Sequence, residues 1–360
     1  MKKVAIILVN YKDYAKRFLV DCLRSIHDQK YVGNIKVFIV DNETSLETEN
    51  FLKTKAPEAE FVFNQNNDGF AKGNNDAIKI AIEQGFDYVV CLNLDTVMDV
   101  FCVDRMVALF EEKKDQKLKD NTLKIGAVQA LLMLHPETTK INSLGNYTHF
   151  LGFGGCDGYN QDFKQWKSEI RNKNIAYPSG AAVMFDVSIL KEVGLFDEEM
   201  WMYNEDQDLG WRIWLAGYKC ILASESIVYH KYEFSRSVKK MYWMDRNRII
   251  TIIKNYHWLT LLLIFPAFFL MEIGLVLFSF KSGWWHEKKM VWHYFLKKKT
   301  WSYLLNERKK IQQLRKVNDC EIIKMFPGVI WYQEIDDWKL RLINPVFDFY
   351  WRMVKFIIIW

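Results

Sequence analysis

The six cysteines of this chain include no CxxC or CxxxC pair. Their scatter offers neither the paired thiolates of a structural zinc site nor a disulfide framework, so we expect a protein of a reducing compartment. A signal peptide is also lacking, because the apolar run in MKKVAIILVNY is short and no small-residue cleavage site follows it. These absences predict a chain that begins to fold near residue 3, in the cytoplasm.

A large excess of charge is missing too. The formal net charge is +5 over 360 residues, and the basic residues are not gathered in a domain with a nucleic-acid reading motif. We therefore expect no nucleic-acid partner. What the chain has instead is apolar surface, since 50% of its residues are hydrophobic and 16% aromatic. That composition predicts one large domain, or a domain with an appendage, and apolar surface left over.

Short apolar runs alternate with helical patterns over the first hundred residues. We predict strands at 4–9, 35–40, 60–63 and 88–92, helices at 14–28, 46–55 and 74–83, and a loop at 64–75. This rhythm predicts a mainly parallel, twisted α/β sheet covered by helices. Later patterns favour a helix at 102–113, strands at 125–134 and 220–228, and an irregular insert at 140–175.

Oxygen-bearing side chains follow three of the predicted strands, as Asn10-Tyr11, Asp41-Asn42 and Asn93-Leu94-Asp95. The carboxyl ends of parallel strands meet at one edge of a sheet, where ligands bind. Asn93 and Asp95 flank one residue and so lie on the same side of an extended chain. They are candidates for a divalent-cation site. The alternative is a loop whose polar residues only turn the chain or cap the next helix.

A second acidic cluster places three carboxylates within four residues, at Glu205, Asp206 and Asp208, at the start of a predicted helix. Helix capping accounts for one or two acids there. Three carboxylates packed near Trp201 repel one another, which raises the pKa of at least one toward the range of a general base. We predict a catalytic role, with capping as the alternative.

His230 ends a predicted strand, and Ser235 and Arg236 follow it. A histidine at a strand end is a metal-ligand candidate on the predicted edge, although most such histidines are structural. Ser235 and Arg236 are candidates for binding phosphate oxygens, or else belong to a solvated helix start.

The run 259–280 carries only one charge, Glu272, and is long enough to cross a bilayer. Pro266 inside the run and Trp284 beyond it favour a bent or re-entrant hairpin, or a helix lying in the interface. Alternating basic and aromatic residues follow, which predicts contact with anionic headgroups. A buried core helix is the alternative.

Taken in order, seven segments resemble glycosyltransferase family 2, with the inverting GT-A fold, over about residues 3–250. They are VAIILVNYK, VFIVDNETS, NQNNDGFAKGNN, CLNLDT, PSGAAVMF, GLFDEEMWMYNEDQDLGWRIWLAGYK and VYHKYEFS. The chain is most similar to the rhamnosyltransferase-like branch of that family. The resemblance implies a catalytic domain at 1–240, with a nucleotide-sugar half to about 100 and an acceptor half beyond it. Residues 241–360 would form a helical, membrane-associating tail.

The resemblance also implies roles for individual residues. Asp95 and His230 would hold magnesium or manganese, and Asp206 would be the general base, with Glu205 and Asp208 as rivals. Nucleotide-sugar contacts are implied for Asn10, Tyr11, Asp41, Asn42, Asp68, Gly69, Asn74, Asn93, Asp95, Ser235 and Arg236, and acceptor contacts for Ser179, Gly180 and Trp201. The chain departs from the family where Asn93 replaces the first acid of the DxD motif and Leu94 replaces a common proline. With one carboxylate fewer, we expect weaker metal binding and more metal ligands from the diphosphate.

The function implied is transfer of a sugar, first of all L-rhamnose from dTDP-rhamnose, to a lipid-linked saccharide in cell-surface polysaccharide synthesis. UDP-galactofuranose or a UDP-hexose is the alternative donor. The enzyme would sit on the cytoplasmic face of the cell membrane as a peripheral or monotopic protein. A sugar nucleotidyltransferase would need a glycine-rich phosphate loop after the first strand, and VNYKDYAKR has no glycine. A non-catalytic membrane scaffold would be marked by loss of the acidic cluster, which is present.

Overall fold

The computed structural model describes residues 1–116, 124–167, 170–231, 238–331 and 338–360, apart from the side chains of 113–116 and 338–341. Ser235 and Arg236, predicted to bind phosphate, lie outside these residues.

Strands and helices alternate over the first hundred residues as predicted. The elements are β1 (Lys3–Tyr11), α1 (Tyr14–His27), β2 (Asn34–Asn42), α2 (Leu46–Lys55), β3 (Glu60–Asn64), α3 (Gly69–Glu83) and β4 (Tyr88–Leu92). The predicted loop at 64–75 is wrong in its second half, because α3 already begins at Gly69. Gly69 has φ of +81°, and the Ala71 N–H in the first turn of α3 donates to the distant carbonyl of Trp201 at 3.2 Å. Local sequence does not reveal such a cap.

The part of the chain from residue 96 to residue 230 mixes strand directions. Its elements are β5 (Thr96–Met98), α4 (Cys102–Gln116), β6 (Ile125–Leu134), β7 (Ile141–Ser143), β8 (Asn146–Thr148), β9 (Gly154–Cys156), α5 (Phe163–Trp166), β10 (Lys173–Asn174), β11 (Ala182–Asp186), α6 (Val187–Val193), a 3-10 turn (Glu198–Met200), α7 (Glu205–Leu215) and β12 (Lys219–His230). The segment 140–175 is more regular than predicted, since it contains short strands and core side chains such as Phe150 and Leu151.

The large sheet has the strand order β10-β12-β6-β11-β4-β1-β2-β3, with β5 and β7 attached at β12 and β6. Strands β1 to β4 are parallel, β11 runs against both β4 and β6, and β12 is parallel to β6. Strands β1, β2, β4 and β12 therefore end, and β11 begins, at one edge, which we call the carboxyl edge. The fold is a mainly parallel α/β sheet covered by helices, as predicted.

The C-terminal region is helical. Its helices are α8 (Lys239–Asn255), α9 (Trp258–Lys281), α10 (Trp285–Leu296), α11 (Lys298–Leu314), α12 (Asp319–Ile322), a 3-10 turn (Ile323–Met325) and α13 (Trp338–Ile357). Tail residues such as Tyr256, Ile264 and Trp351 join the same hydrophobic core as Val89 of the sheet. The tail is thus packed on the catalytic domain.

Among the described residues, α9 is the one helix long and apolar enough to cross a membrane by length and composition. It is a single helix that continues through Pro266, so the predicted hairpin does not form. One face of α9 packs on the protein through Thr260, Ile264, Ala267 and Met271. Midway along it, Glu272 pairs with Arg248 of α8 and with Lys288 of α10.

Candidate active site

Asp95 and His230 come together at the carboxyl edge, from the ends of β4 and β12. His230 Nε2 lies 3.3 Å from Asp95 Oδ1, and the Tyr14 hydroxyl donates to Asp95 Oδ2 at 2.6 Å. Burial alone raises the pKa of Asp95, but the neighbouring His230 and the Tyr14 hydroxyl outweigh it and hold the pKa below its ordinary value. Asp95 is therefore a carboxylate at neutral pH.

The second ring nitrogen of this histidine fixes its orientation. His230 Nδ1 lies 2.9 Å from the side-chain oxygen of Asn142, which only accepts, so Nδ1 carries the hydrogen. In the neutral ring, Nε2 then presents a lone pair to Asp95 Oδ1, and Oδ1 is buried without a well-aligned hydrogen bond. Two acceptors facing each other need a proton or a cation between them. The pair thus fits a divalent ion with two protein ligands.

No group of three or more His, Cys, Asp or Glu side chains able to hold a metal occurs in the described part of the chain. Asn93 is half-buried, and its backbone is tied to Ala181 and Thr96 rather than turned toward Asp95. Any ion bound by Asp95 and His230 would need further ligands from the substrate or water.

Asn10 and Asp41 meet at the ends of β1 and β2, but they are buried beneath the edge. The Asn10 amide donates to Asp41 Oδ1 at 2.6 Å, and the Thr48 hydroxyl donates to Oδ2 at 2.8 Å. Asn42 donates to the Gly69 carbonyl at 3.0 Å and is buried as well. These three side chains have no more than 2% of their surface exposed, so in this conformation they shape the edge from below. Tyr11 is 39% exposed above them.

The start of α3 closes one side of the site. Asp68 pairs with Lys72 at 3.1 Å, and the buried Asn74 amide donates to the Phe70 carbonyl at 2.9 Å. A Cβ at Gly69 would lie 2.4 Å from the Trp201 carbonyl oxygen, so this close approach requires glycine.

Asp206 is the acid of the second cluster that lies at the edge. Its Oδ2 accepts from the Gly180 N–H at 3.1 Å, and its Oδ1 from the Gln207 N–H at 2.8 Å. Desolvation raises the pKa of Asp206 to about 6, although these backbone donors act in the opposite direction. A half-buried carboxylate with that pKa is suited to accept a proton near neutral pH.

A short backbone path joins the two acidic sites. Asn93 N–H donates to the Ala181 carbonyl at 2.9 Å, where β4 meets β11. Ala181 follows Gly180, the residue that binds Asp206, and Asn93 precedes Asp95 by two positions. This path connects Asp206, through Gly180 and Ala181, to the strand end that precedes Asp95. Ser179 lies beside them, with its N–H bonded to Gln129 Oε1 at 2.7 Å.

Glu205 is buried, and its Oε2 has no hydrogen-bond partner. Desolvation, with repulsion from Asp206, raises the pKa of Glu205 well above its ordinary value. The folded protein therefore favours the protonated form of Glu205, which makes it less suited than Asp206 to accept a proton.

Asp208 has no exposed surface and binds the tail. Its oxygens accept from Arg212 Nε at 2.9 Å and Asn255 Nδ2 at 2.9 Å, and Lys254 Nζ lies 3.1 Å away. In this conformation Asp208 is part of a buried ion network. The structure therefore does not favour Asp208 as the alternative general base that the sequence suggested.

The backbone before α7 is strained. Trp201, Tyr203 and Asn204 have φ of 60°, 68° and 64°, a region that non-glycine residues seldom adopt. The Trp201 ring stacks on Trp243 of α8 at 4.6 Å between centroids. Asn247 of α8 donates to the carbonyls of Met200, Met202 and Tyr203 at 2.8, 2.9 and 2.7 Å.

The sequence analysis missed Tyr14, Asn142, Asn247 and Lys254. A polar run, Asp245 to Arg248, inside an otherwise apolar helical pattern was the available signal for Asn247. Tyr14 and Asn142 offer no such signal, because they reach the site only through the fold.

A model of the family described as "Glycosyltransferase like family 2" matches residues 2–248. No curated protein sequence matches the chain.

Two kinds of solved structure share the fold. A crystal structure of S. aureus TarS 1–349 with UDP aligns with a TM-score of 0.50 at 15% identity, over 99% of this chain and 90% of that one. TarS 1–349 alone gives a TM-score of 0.52 at 15% identity over the same shares. GalNAc-T7, crystallised with UDP, GalNAc and Mn²⁺, aligns with a TM-score of 0.50 at 13% identity, over 69% of this chain. The chain spans 47% of the GalNAc-T7 chain. At these identities the likeness is one of fold.

Proposed function

Because the chain belongs to the glycosyltransferase-like family 2 and is therefore a glycosyltransferase using a nucleotide sugar, we propose that it inverts the anomeric carbon in a single displacement with Asp206 as the base. One observation carries this proposal: the Gly180 N–H holds the Asp206 carboxylate, whose pKa is about 6. The next residue, Ala181, accepts from the Asn93 N–H, two positions before Asp95. A base and a leaving-group site at one edge are what such a transfer requires.

Asp206 takes the proton from the acceptor hydroxyl as its oxygen attacks the anomeric carbon. The bond from that carbon to the diphosphate oxygen breaks on the opposite face, which inverts the configuration. The Gly180 and Gln207 N–H groups hold the carboxylate in place, so its orientation is set before the acceptor binds. Glu205 is less suited to this role, because burial favours its protonated form.

Asp95 and His230 would hold a magnesium or manganese ion, with Tyr14 and Asn142 fixing their orientation. Such an ion supplies positive charge for the diphosphate as it departs. GalNAc-T7 was crystallised with Mn²⁺, which supports the choice of metals to test.

The proposal also specifies which nucleotide sugars to test as the donor. The resemblance to rhamnosyltransferases makes dTDP-rhamnose the first donor to test. The UDP in the TarS and GalNAc-T7 structures supports UDP-sugars as its competitors, among them UDP-galactofuranose and UDP-glucose.

We also propose that the tail lies in the membrane interface, on the cytoplasmic face. Exposed apolar side chains form a stripe on α9 at Leu262, Phe265, Phe269, Ile273, Leu277 and Phe280. A parallel stripe on α13 comprises Leu342, Val346, Phe349, Met353 and Phe356. The two helices are joined by hydrogen bonds from Tyr350 to the Leu263 carbonyl and from Trp360 to the Thr260 hydroxyl. A two-helix apolar face of this kind is typical of monotopic insertion.

A spanning orientation of α9 is disfavoured by its central ion pairs. Glu272 binds Arg248, which also donates to the Leu151 carbonyl of the catalytic domain. A transmembrane α9 would carry these charges and polar groups to the bilayer centre, at high cost. An enzyme bound in the interface meets acceptors that are themselves membrane-bound, which supports a lipid-linked saccharide acceptor.

The test is binding and hydrolysis of a panel of nucleotide sugars, with and without Mg²⁺ or Mn²⁺. Wild type is run beside Asp95→Ala and Asp206→Asn. We expect one donor to bind in a metal-dependent manner, weakly to Asp95→Ala, and normally but without turnover to Asp206→Asn. Failure of every donor to bind would favour the non-catalytic scaffold. Donor binding that needs no metal and is unchanged in Asp95→Ala would overturn the proposed metal site.

A further inference from the structure

The helices α8 and α10 line an open recess of about 320 Å³ on the surface of the tail. It is lined by Tyr242, His286, Lys289, His293, Tyr294 and Lys297, with Met290 between them. Three of these residues, His286, Lys289 and His293, recur every three or four positions and so share one face of α10, and Lys297 follows directly after the helix. We propose that this recess binds the phosphate or diphosphate of the lipid-linked acceptor, an inference that rests on the proposed function.

The recess has more positive than negative charge around it. One carboxylate borders it, because the Tyr294 hydroxyl donates to Glu199 Oε1 at 3.0 Å. Neither Lys289 nor Lys297 pairs with a carboxylate in the described ranges, and both are exposed. The adjacent Lys288 contrasts with them, because it is buried between Asp245 and Glu272. A lysine left unpaired on a concave surface is available for an anionic ligand.

A further cation lies beneath the recess. The buried Arg246 guanidinium packs on the rings of Tyr242 and Tyr294, at 5.3 and 4.8 Å from their centroids. Its polar contacts are the Glu199 carbonyl at 2.5 Å and Asn247 Oδ1 at 2.9 Å, both neutral acceptors. Its charge therefore adds to the positive potential of the recess floor.

The recess adjoins the aromatic end of the apolar face. Phe280, at the end of α9, stacks on Trp285 at 4.1 Å, and Trp285 packs edge-on against Trp292 at 5.3 Å. Aromatic clusters of this kind lie at the headgroup level of a bilayer. A phosphate bound at Lys289 would then sit at that level, with its hydrocarbon chain in the bilayer beside α9.

On its other side the recess leads to the candidate active site. Tyr242, in the lining, contacts Trp243 at 4.9 Å, and Trp243 stacks on Trp201 at 4.6 Å. Trp201 in turn contacts α3 through the Ala71 N–H, and Asp206 follows it by five positions. A saccharide attached to the bound phosphate can therefore extend over Trp201 toward the base. Continuity with both the membrane face and the base favours the acceptor's own phosphate as the occupant.

The experiment measures flotation of the full chain with phosphatidylcholine vesicles that contain a few per cent polyprenyl diphosphate, polyprenol or phosphatidylglycerol. The variants are Lys289→Glu/Lys297→Glu, the charge-conserving Lys289→Arg/Lys297→Arg and, as a matched control, Lys309→Glu on the exposed face of α11. We expect polyprenyl diphosphate to strengthen vesicle binding by the wild type. In the double Glu variant this increase in binding should be smaller by about tenfold or more. The Arg variant and Lys309→Glu should retain it.

Three outcomes would overturn the proposal: no gain from polyprenyl diphosphate over polyprenol, an equal gain from phosphatidylglycerol, or an equal loss in Lys309→Glu. The second of these would assign the recess to bulk anionic lipid. Donor hydrolysis without lipid is measured on the same variants and should be unchanged. If wild type shows no donor binding or hydrolysis, the proposed function fails. If donor turnover is normal and the lipid diphosphate is ignored, only this inference fails.

Discussion

The side-chain amide of Asn247 donates to the backbone carbonyl of Tyr203 at 2.7 Å. This bond joins tail helix α8 to the strained segment that positions the start of α7. Asn247 also holds the carbonyls of Met200 and Met202, so one amide stabilises three peptide units. The tail therefore supports the candidate active site as well as the apolar face.

Asn247→Asp is expected to reduce kcat by roughly tenfold or more, because a carboxylate cannot donate to these carbonyls and the segment before Asp206 relaxes. The donor KM should change little, since Asp95 and His230 are untouched. Steady-state kinetics check this, with Asn306→Asp on the exposed surface of α11 as a control for the added charge. An unchanged kcat in Asn247→Asp would show that the strained segment does not set the base.

The pH dependence of transfer should report Asp206. Its pKa of about 6 means that the carboxylate is protonated, and inactive as a base, below that pH. We expect kcat/KM to rise with pH through about 6 and to level off by about pH 7 to 8. Asp206→Asn should lower kcat/KM by about 10² or more on the plateau above pH 7 and abolish this limb. A pH profile of transfer, recorded from pH 5 to 8, decides the point. A limb that persists in the residual activity of Asp206→Asn would assign the titration to another group.

Much of this site follows from strand order alone. Parallel strands end at one edge, so the sequence places Asp95 at the edge with Asn10 and Asp41. The sequence does not show that both carboxylate oxygens of Asp41 accept hydrogen bonds from Asn10 and Thr48, because those bonds depend on side-chain directions in three dimensions. In the same way, helical spacing cannot separate the roles of the three acids of the cluster. Contacts from the tail, more than 40 residues later, separate Asp208 from Asp206.

Glu205→Gln is expected to keep transfer activity and to stabilise the protein at alkaline pH. The pKa of Glu205 is raised in the folded state, so the folded form favours the proton. As pH rises above the unfolded pKa, about 4.3 for glutamate, wild type loses roughly 1.4 kcal/mol per pH unit up to the folded pKa. Glutamine resembles the protonated acid and avoids this loss.

Thermal unfolding of wild type and Glu205→Gln at several pH values between 5 and 8 measures the difference. The gap in melting temperature should widen as pH rises, in favour of the variant. A constant gap would mean that Glu205 titrates normally. A large loss of activity in Glu205→Gln would instead make this carboxyl group part of the chemistry.

Asp208→Asn should act through stability. It leaves the buried Arg212 without its carboxylate, while Lys254 keeps its pair with Asp197. Breaking a buried ion pair in this way costs about 3–5 kcal/mol. We expect a lower melting temperature and weaker docking of α8, detected by urea unfolding and limited proteolysis. Asp206→Asn is the matched comparison, since it changes the same residue type two positions away and should unfold near the wild-type midpoint. Equal stability of the two variants would contradict the division of roles proposed for these acids.

The apolar stripes on α9 and α13 predict membrane binding by both helices together. Leu277→Lys with Phe349→Lys adds two charges to side chains that are 66% and 69% exposed, so the fold should be retained. Sedimentation with lipid vesicles should fall about tenfold or more, because an inserted apolar side chain is replaced by a charge on each helix. Val32→Lys is the matched control, as Val32 is an 81% exposed apolar residue of the catalytic domain. Retained vesicle binding in the double variant, with wild-type melting behaviour, would show that the stripes do not lie in the membrane interface. If Glu272→Gln weakened vesicle binding as strongly while the stripes remained intact, docking of α9 on Arg248 and Lys288 would be the requirement instead.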